Sequence, residues 1–334
     1  MLENISYVDL IGIPLLILVL VVALAIVLTR NLFAAVMLQG ILSLLMASTF
    51  FLLDAADVAL TEAAVGAGVS TVLLLGTLAL TTDQEKAGGI RPLVPLLVVG
   101  LAAIVLLFTI TDSPLLGDPL APVHTYLSPR YIGQSPEEIG VPNLVTAVLA
   151  SYRGYDTLGE VVVVFTAGLG VMLMLGSSPR HGRYVTKISG DAIRNIKHHL
   201  VPRVVSKVLI PFIILFALYV QFHGDYSPGG GFQAGAIFAA AVMLYALIQG
   251  DERARRALPE RVMAFFASAG VLLYAGIGFM GLVKGGNFLD YNVLSDDPIA
   301  GQHMGIILIE FGVGMAVAST LILIFYGFAG REER

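Results

Sequence analysis

The sequence predicts an all-α integral membrane protein with about nine transmembrane helices. Nine apolar stretches each come close to the roughly 20 residues that a helix needs to cross a bilayer. The 334 residues are 57% hydrophobic and 13% charged, a composition far more apolar than that of a soluble domain. The basic residues are also sorted between alternate connections. Because backbone groups inside lipid must be satisfied within the segment, each stretch is predicted to be a helix.

The predicted spans follow one another between polar or turn-forming residues. They cover residues 10–28, 32–53, 60–80, 93–110, 158–175, 208–222, 232–248, 262–283 and 304–328. Alternate threading places the N-terminus outside and the C-terminus in the cytoplasm. Of the 19 Lys and Arg residues, only Arg130, Arg153 and Lys284 then lie outside. Cytoplasmic loops carry the Lys/Arg excess, so the charges support this orientation in the cell (inner) membrane.

The start of the chain is acidic and lacks the positive region of a secretory signal, so the first span is expected to be retained. With no cysteine in the sequence, a disulfide framework, a thiolate metal site and an iron–sulfur cluster are excluded. The sequence shows no other metal or cofactor site. We expect neither a cofactor nor a metal in this chain.

Two polar interruptions divide the spans into three modules, at residues 1–90, 91–180 and 181–334. The outer connection 111–155 is rich in proline, and residues 143–150 within it are predicted to form a short helix against the outer face. In the cytoplasmic stretch 177–207, residues 190–199 are predicted to form an amphipathic interfacial helix. The basic residues there are expected to contact anionic lipid or a neighbouring subunit, not nucleic acid. No internal repeat is evident, which argues against a complete transporter.

Three glutamates lie inside predicted spans, where an acidic group is costly. Glu62, Glu160 and Glu310 all fall near the start of spans that run from outside to inside, so they are predicted to lie in the outer half of the membrane. Two interpretations stay open for each. The glutamate is a hydrogen-bonded interfacial residue, or it lines an ion path.

Arg153, Asp156 and Glu160 form the tightest group of charges in the sequence. Asp156 and Glu160 share one helix face if the helix begins early enough, and Arg153 can neutralise the pair. Close carboxylates and a nearby arginine have opposite effects on proton affinity, which suits a proton-accepting site. The alternative is a helix start, with Asp156 or Thr157 as N-cap and Glu160 as the capping-box partner of Thr157.

The turn before the third span carries Asp54 and Asp57, which are predicted to be solvated loop and cap residues. Small residues follow within the span at Gly66, Gly68 and Ser70. They allow close helix packing or a local unwinding that admits water, and packing alone is the favoured interpretation.

The stretch H-G-D-Y-S-P-G-G-G-F-Q-A-G at residues 223–235 is the most distinctive in the chain. Glycine permits backbone angles that other residues avoid, so this stretch is predicted to be a tight, fixed turn between two spans. A histidine beside an acid can relay protons, but structural hydrogen bonding is the favoured role of His223, as it is of His303. Lys284 is expected to snorkel to the surface. The residues predicted to form the turn are His223, Asp225, Pro228, Gly229, Gly230 and Gly231.

Several of these stretches resemble components of one antiporter family. The glycine-rich turn, F-L-D-Y-N at 288–292 and G-I-I-L-I-E-F-G-V at 305–313 resemble the B subunit of Mrp-type (also called Mnh) sodium/proton antiporters. D-V-A-L-T-E-A-A-V at 57–65 resembles the D subunit of archaeal membrane-bound hydrogenases. P-N-L-V-T-A-V at 142–148 and R-G-Y-D-T-L-G-E at 153–160 resemble the neighbouring E module. The resemblance covers nearly the whole chain as a D–E–B fusion.

The resemblance implies an accessory membrane subunit of a multi-subunit antiporter that exchanges sodium for protons. This subunit would line an ion path and contact other subunits and lipid, and it would not itself be an enzyme. The family's acidic positions fall on Glu62, Asp156, Glu160 and Glu310. Two alternatives stay open: the membrane arm of an ion-pumping redox complex such as a membrane-bound hydrogenase, and a scaffold with no ionisable role.

Overall fold

The computed structural model describes residues 7–79, 84–85, 93–115, 118–176 and 200–329. These residues form helices, turns and one isolated bridge between Asn31 and Gln84, with no β-strand among them, so the all-α prediction is confirmed. The interfacial helix predicted over residues 190–199 lies outside the described residues, as does most of the basic stretch before it.

The first part of the chain forms three spans. Helices α1 (Tyr7–Leu28) and α2 (Leu32–Leu52) are antiparallel neighbours, and the third span has three consecutive segments. These segments are α3 (Ala56–Thr61), a π-helix (Glu62–Ser70) and α4 (Thr71–Ala79).

The middle part contains the fourth and fifth spans and the long connection between them. Helix α5 (Leu93–Thr111) is exposed along its whole length. After it come a π-turn (Val123–Leu127), α6 (Ser128–Glu138), α7 (Leu144–Thr146), a second π-segment (Ala147–Tyr152) and α8 (Gly154–Gly176). The short helix predicted over residues 143–150 is therefore confirmed.

The last part is a bundle of four spans. Its elements are α9 (Leu200–His223), α10 (Gly231–Gln249), the short α11 (Asp251–Ala257), α12 (Glu260–Val283), a 3₁₀ turn (Tyr291–Leu294) and α13 (Pro298–Ala329). Within the described ranges nine helices are long and apolar enough to cross a membrane, as predicted. The orientation of the termini stays a prediction.

Helix α13 is the central element of the molecule. One core cluster packs Ala239 and Met243 of α10 against Ile322 of α13. A second cluster packs Tyr274 of α12 and Tyr291 against the other end of α13. The two tyrosine hydroxyls, which are fully buried, donate to backbone carbonyls of the outer connection, at Gly154 (2.7 Å) and Ala150 (3.1 Å). The outer connection is thereby fastened to the bundle.

Glycines bring the backbones of α10, α12 and α13 into direct contact. A Cβ at Gly231 would lie 2.9 Å from the carbonyl carbon of Glu310, and one at Gly235 would lie 2.8 Å from the carbonyl oxygen of Gly314. A Cβ at Gly270 would lie 2.7 Å from the backbone nitrogen of Ala316. Small residues at such crossings allow the close packing that drives helix association in lipid.

Arg255 fastens the carboxyl end of α13 at the other end of the bundle. Its guanidinium donates to Asp251 Oδ2 and to the backbone carbonyl of Tyr326, both at 2.5 Å, and forms an ion pair with Glu260. It also lies 4.6 Å from the centre of the Tyr326 ring. A cation at a helix carboxyl end satisfies carbonyls that have no intrahelical partner.

The glycine contacts predict a position-specific effect of an added methyl group. Gly231→Ala should destabilise the bundle by about 1–3 kcal/mol, because its Cβ meets backbone that cannot move aside. Gly276→Ala in α12 is the matched control, since its Cβ meets nothing within 4 Å. Melting of the purified protein in detergent measures both changes. Equal melting temperatures for the two variants would contradict the packing described here.

The Arg255 contacts predict a second stability effect. Arg255→Gln should lower stability by about 1.5–3 kcal/mol, the range for hydrogen bonds to charged groups. Arg256→Gln should have almost no effect, because the Arg256 side chain is 74% exposed and that of Arg255 is 24% exposed. The same melting assay decides, and a larger loss for Arg256→Gln would be the contrary result.

Candidate functional site

Three carboxylates from distant parts of the chain line one cavity of about 240 Å³. Asp57 comes from α3, Glu160 from α8 and Glu310 from α13. Hydroxyl and amide groups of Thr61, Thr146, Thr157 and Gln233 complete the polar lining, and no basic side chain is among the lining residues. A water occupies about 30 Å³ in the liquid, so the cavity has room for several waters or a partly hydrated ion.

Glu310 lies against bare backbone of the glycine-rich turn. A Cβ at Gly224 would stand 2.9 Å from Glu310 Oε2, and one at Gly230 would stand 3.0 Å from Oε1. The same Gly230 Cβ would be 3.6 Å from Oε1 of Gln233. In the described part of the chain, Glu310 has no hydrogen-bond donor and no ion-pair partner. The carboxylate therefore depends on whatever occupies the cavity.

Asp57 is buried, so its prediction as a solvated residue is wrong. Its Oδ1 accepts hydrogen bonds from the backbone N–H of Gly229 (2.8 Å) and from Nδ2 of Asn143 (3.3 Å). The reason is tertiary, because the glycine-rich turn folds over the first turn of α3. Asp54 in the same connection is exposed, as predicted.

Thr61, one helical turn after Asp57, links α3 to α10. Its hydroxyl donates to the carbonyl oxygen of Asp57 and accepts from Nε2 of Gln233, both at 2.8 Å. Because the amide nitrogen of Gln233 is engaged in this bond, its Oε1 is left on the side of Glu310. Oxygen atoms from two modules therefore converge beside Gly230.

Helix α8 begins at Gly154, which places Asp156 and Glu160 on one face. Arg153 forms the predicted pair with Asp156, with Nε donating to Oδ2 at 2.7 Å, but this pair is exposed. Glu160 lines the cavity and Asp156 does not. The capping interpretation is wrong, because Asp156 and Thr157 lie inside the helix and the Thr157 hydroxyl donates to the Leu149 carbonyl (2.8 Å).

Glu62 is not among the residues that line the cavity. It begins the π-helix and lies beside Gly66, whose Cβ would be 2.6 Å from Glu62 Oε1 and 3.0 Å from the Cβ of Ser43. Packing alone is therefore an incomplete account of the small residues in this span, since the backbone itself departs from the α-helix. Such π-segments are frequent at functional sites.

The predicted turn joins α9 to α10, but its histidine and its acid have different partners. His223 is exposed and stacks on Tyr219, with the ring centres 4.6 Å apart. Asp225 is buried and its Oδ2 lies 3.2 Å from Nδ1 of His303, whose Nε2 faces the Gly140 carbonyl at 3.3 Å. Lys284 donates to the Leu294 carbonyl (3.0 Å), so the snorkelling prediction is wrong.

A second, more polar cavity of about 600 Å³ lies on the other side of the second π-segment. Ala150 of that segment lines the first cavity, and Ser151 and Tyr152 line the second. Glu138 accepts from Tyr152 Oη (2.5 Å) and forms an ion pair with Arg130 (3.2 Å). Burial, followed by the Glu138 contact, raises the pKa of Tyr152 to about 12, so its hydroxyl stays a donor at physiological pH.

The chemistry of the first cavity is that of oxygen ligands and exchangeable protons. Among the described residues, no group of three or more His, Cys, Asp or Glu side chains is placed to hold a metal ion together. Carboxylates, hydroxyls and amide oxygens at looser spacing suit a hard, weakly held cation and a proton.

Comparison with known families gives two matches that divide the chain. Residues 201–323 match the domain related to the MnhB subunit of Na+/H+ antiporters. Residues 17–83 match the D subunit of the membrane-bound hydrogenase family MBH.

Known relatives carry the same combination of segments. The A/B subunit of a probable K(+)/H(+) antiporter from Rhizobium meliloti (strain 1021) is 24% identical over 336 residues, covering 90% of this chain and 32% of the relative. A putative antiporter subunit mnhB2 of Staphylococcus aureus (strain Newman) is 30% identical over 139 residues, covering 40% of this chain and 96% of the relative. The chain thus spans about one third of the length of the Rhizobium relative.

Two solved structures share the fold. The Mrp complex from Dietzia sp. DQ12-45-1b contains a chain that matches all of this one with a TM-score of 0.75 and 26% identity, and 36% of that chain is covered. A chain of the membrane-bound sulfane sulfur reductase, an archaeal respiratory membrane complex, matches 71% of this one with a TM-score of 0.53 and 28% identity, and 97% of it is covered. A D-like part is thus fused to a B-like part, as the resemblance implied, in a multi-pass membrane protein that belongs to the MnhB family of antiporter subunits.

Proposed function

We propose that this chain is an accessory membrane subunit of a multi-subunit, Mrp-type antiporter that exchanges a monovalent cation, sodium in the first instance, for protons. The observation that carries the proposal is the cavity in which Asp57, Glu160 and Glu310 meet. Each comes from a different predicted module, so the fold itself assembles the carboxylates. The similarity to antiporter subunits supports the same assignment.

The cavity requires positive charge from outside the chain's own side chains. Three carboxylates line it and no basic residue does. An uncompensated buried charge costs several kcal/mol, and like charges at close range oppose one another's ionisation. A cation or a proton must therefore neutralise the site. Because both bind to the same oxygens, each displaces the other, which is the elementary step of exchange.

Partner subunits are part of the proposal. Every residue of the apolar helix α5 is exposed in the isolated chain, and the chain spans only part of its relatives. The described spans also lack a lysine near their middle, since Lys207 and Lys284 lie at span ends. We place proton-driven machinery in other subunits and an ion-lined passage in this one, with the N-terminus outside and the C-terminus in the cytoplasm.

The similarity to a respiratory complex favours a second candidate, the membrane arm of a redox-driven ion pump. The match to the sulfane sulfur reductase complex covers almost all of the matched chain. In such a complex, electron transfer in another subunit would drive the same cavity. Cation/proton exchange in the absence of an electron donor separates the two candidates, because only the antiporter catalyses it.

Neutralising the cavity carboxylates should abolish exchange. We expect Asp57→Asn, Glu160→Gln and Glu310→Gln each to lower the initial rate about tenfold or more, the effect of about 1.4 kcal/mol at the rate-limiting step. The measurement is cation-induced proton movement in inverted vesicles that contain the whole complex, with sodium and potassium compared. Native gels of the same membranes report assembly.

Asp54→Asn is the matched control for Asp57→Asn. The two aspartates lie in the same connection, but Asp54 is exposed and does not line the cavity. Its substitution should leave the rate within about twofold, less than about 0.4 kcal/mol. Normal exchange in all three cavity variants with normal assembly would reduce the chain to a scaffold.

A further inference from the structure

Asn143 is the residue through which the three modules meet. Its side-chain nitrogen donates to Ser227 O (2.9 Å), to Gly224 O (3.1 Å) and to Asp57 Oδ1 (3.3 Å). Two hydrogens serve three acceptors, so one of these bonds is shared. The acceptors belong to the glycine-rich turn and to α3, whereas Asn143 belongs to the outer connection.

The orientation of the Asn143 amide is fixed by its other end. The side-chain oxygen accepts from the backbone N–H of Val145 (2.9 Å) and of Thr146 (3.4 Å), as the N-cap of α7. A flipped amide would point its oxygen at three oxygen acceptors and its nitrogen at two N–H donors. The hydrogen-bond network therefore assigns the nitrogen to the side of Asp57.

The backbone around Asn143 holds the same junction. Its own N–H donates to the carbonyl of Asp225 (2.9 Å), and the Thr146 hydroxyl donates to the carbonyl of Gly224 (2.8 Å). Gly229 then supplies the second donor to Asp57 Oδ1. Both donors converge on one oxygen, and Oδ2 of Asp57 has no hydrogen-bond donor in the described part of the chain. That second oxygen is the one available to an ion in the cavity.

Resting on the proposed function, we propose that Asn143 is a positioning residue that sets the affinity of the cavity for its monovalent cation. It holds Asp57 Oδ1 and the glycine-rich turn in one arrangement, which leaves Asp57 Oδ2 turned to the cation. It does not itself ligate the cation or exchange a proton, since its oxygen is occupied by the N-cap. Its removal should therefore weaken cation binding and leave the maximal rate almost intact.

The test uses Asn143→Ser in the intact complex, because serine preserves the N-cap and removes the amide donors. Asn31→Ser is the matched control, since Asn31 is the N-cap of α2 and accepts from the Ala34 N–H (2.9 Å) away from the cavity. We expect the sodium or potassium concentration for half-maximal exchange to rise about fivefold or more in Asn143→Ser, a change of about 1 kcal/mol. The maximal rate should stay within about twofold, and Asn31→Ser should change neither.

An unchanged half-maximal concentration in an assembled Asn143→Ser complex would overturn the inference, as would an equal loss of maximal rate. A second readout does not depend on transport. Melting shifts of the purified complex for Asn143→Ser, Asp57→Asn and the double variant should be non-additive, because the two side chains are in contact. If wild type exchanges neither cation, the proposed function fails on its own, and additive melting shifts would then overturn the Asn143 inference separately.

Discussion

A carboxylate carried into a membrane-spanning helix needs compensation, and Glu310 shows how this chain is built around that need. Helix α13 is the most buried span, and its glutamate faces backbone where Gly224 and Gly230 leave no side chain in the way. The close approach of α10 to α13 depends on Gly231 and Gly235. The glycines therefore serve one purpose, which is to bring the turn over the acid. Everything else in the site follows the position of that turn.

Once the turn is in place, it organises the other modules by hydrogen bonds. Gly229 donates to Asp57, while the carbonyls of Gly224 and Ser227 accept from Asn143. These bonds connect segments that hydropathy treats as separate bundles. The two π-segments flank the junction, one beginning at Glu62 and the other ending at Tyr152. A cavity bordered by such irregular backbone is where polar groups are tolerated at membrane depth, because protein covers them.

Hydropathy predicts the nine spans because the length and polarity of a span are local properties. Glu160 and Glu310 could be found in the same way, as single acids in apolar runs. Asp57 could not, since it resembles Asp54 in sequence and its partner Gly229 is 172 residues away. One signal was available: Asp57 and Thr61 are four residues apart on one face of the span. Likewise Asp225 pairs with His303 on α13 and not with the neighbouring His223, a choice made by tertiary packing.

The most direct test of the account is whether a cation protects the cavity carboxylates from a hydrophobic carbodiimide, which modifies protonated carboxyl groups in apolar surroundings. The purified complex would be labelled at several sodium and potassium concentrations, and the modified residues identified by mass spectrometry. The account predicts labelling of Glu310, Asp57 or Glu160 that falls as the transported cation rises, because cation and proton compete for the same oxygens. Labelling of these residues that neither cation alters would contradict it.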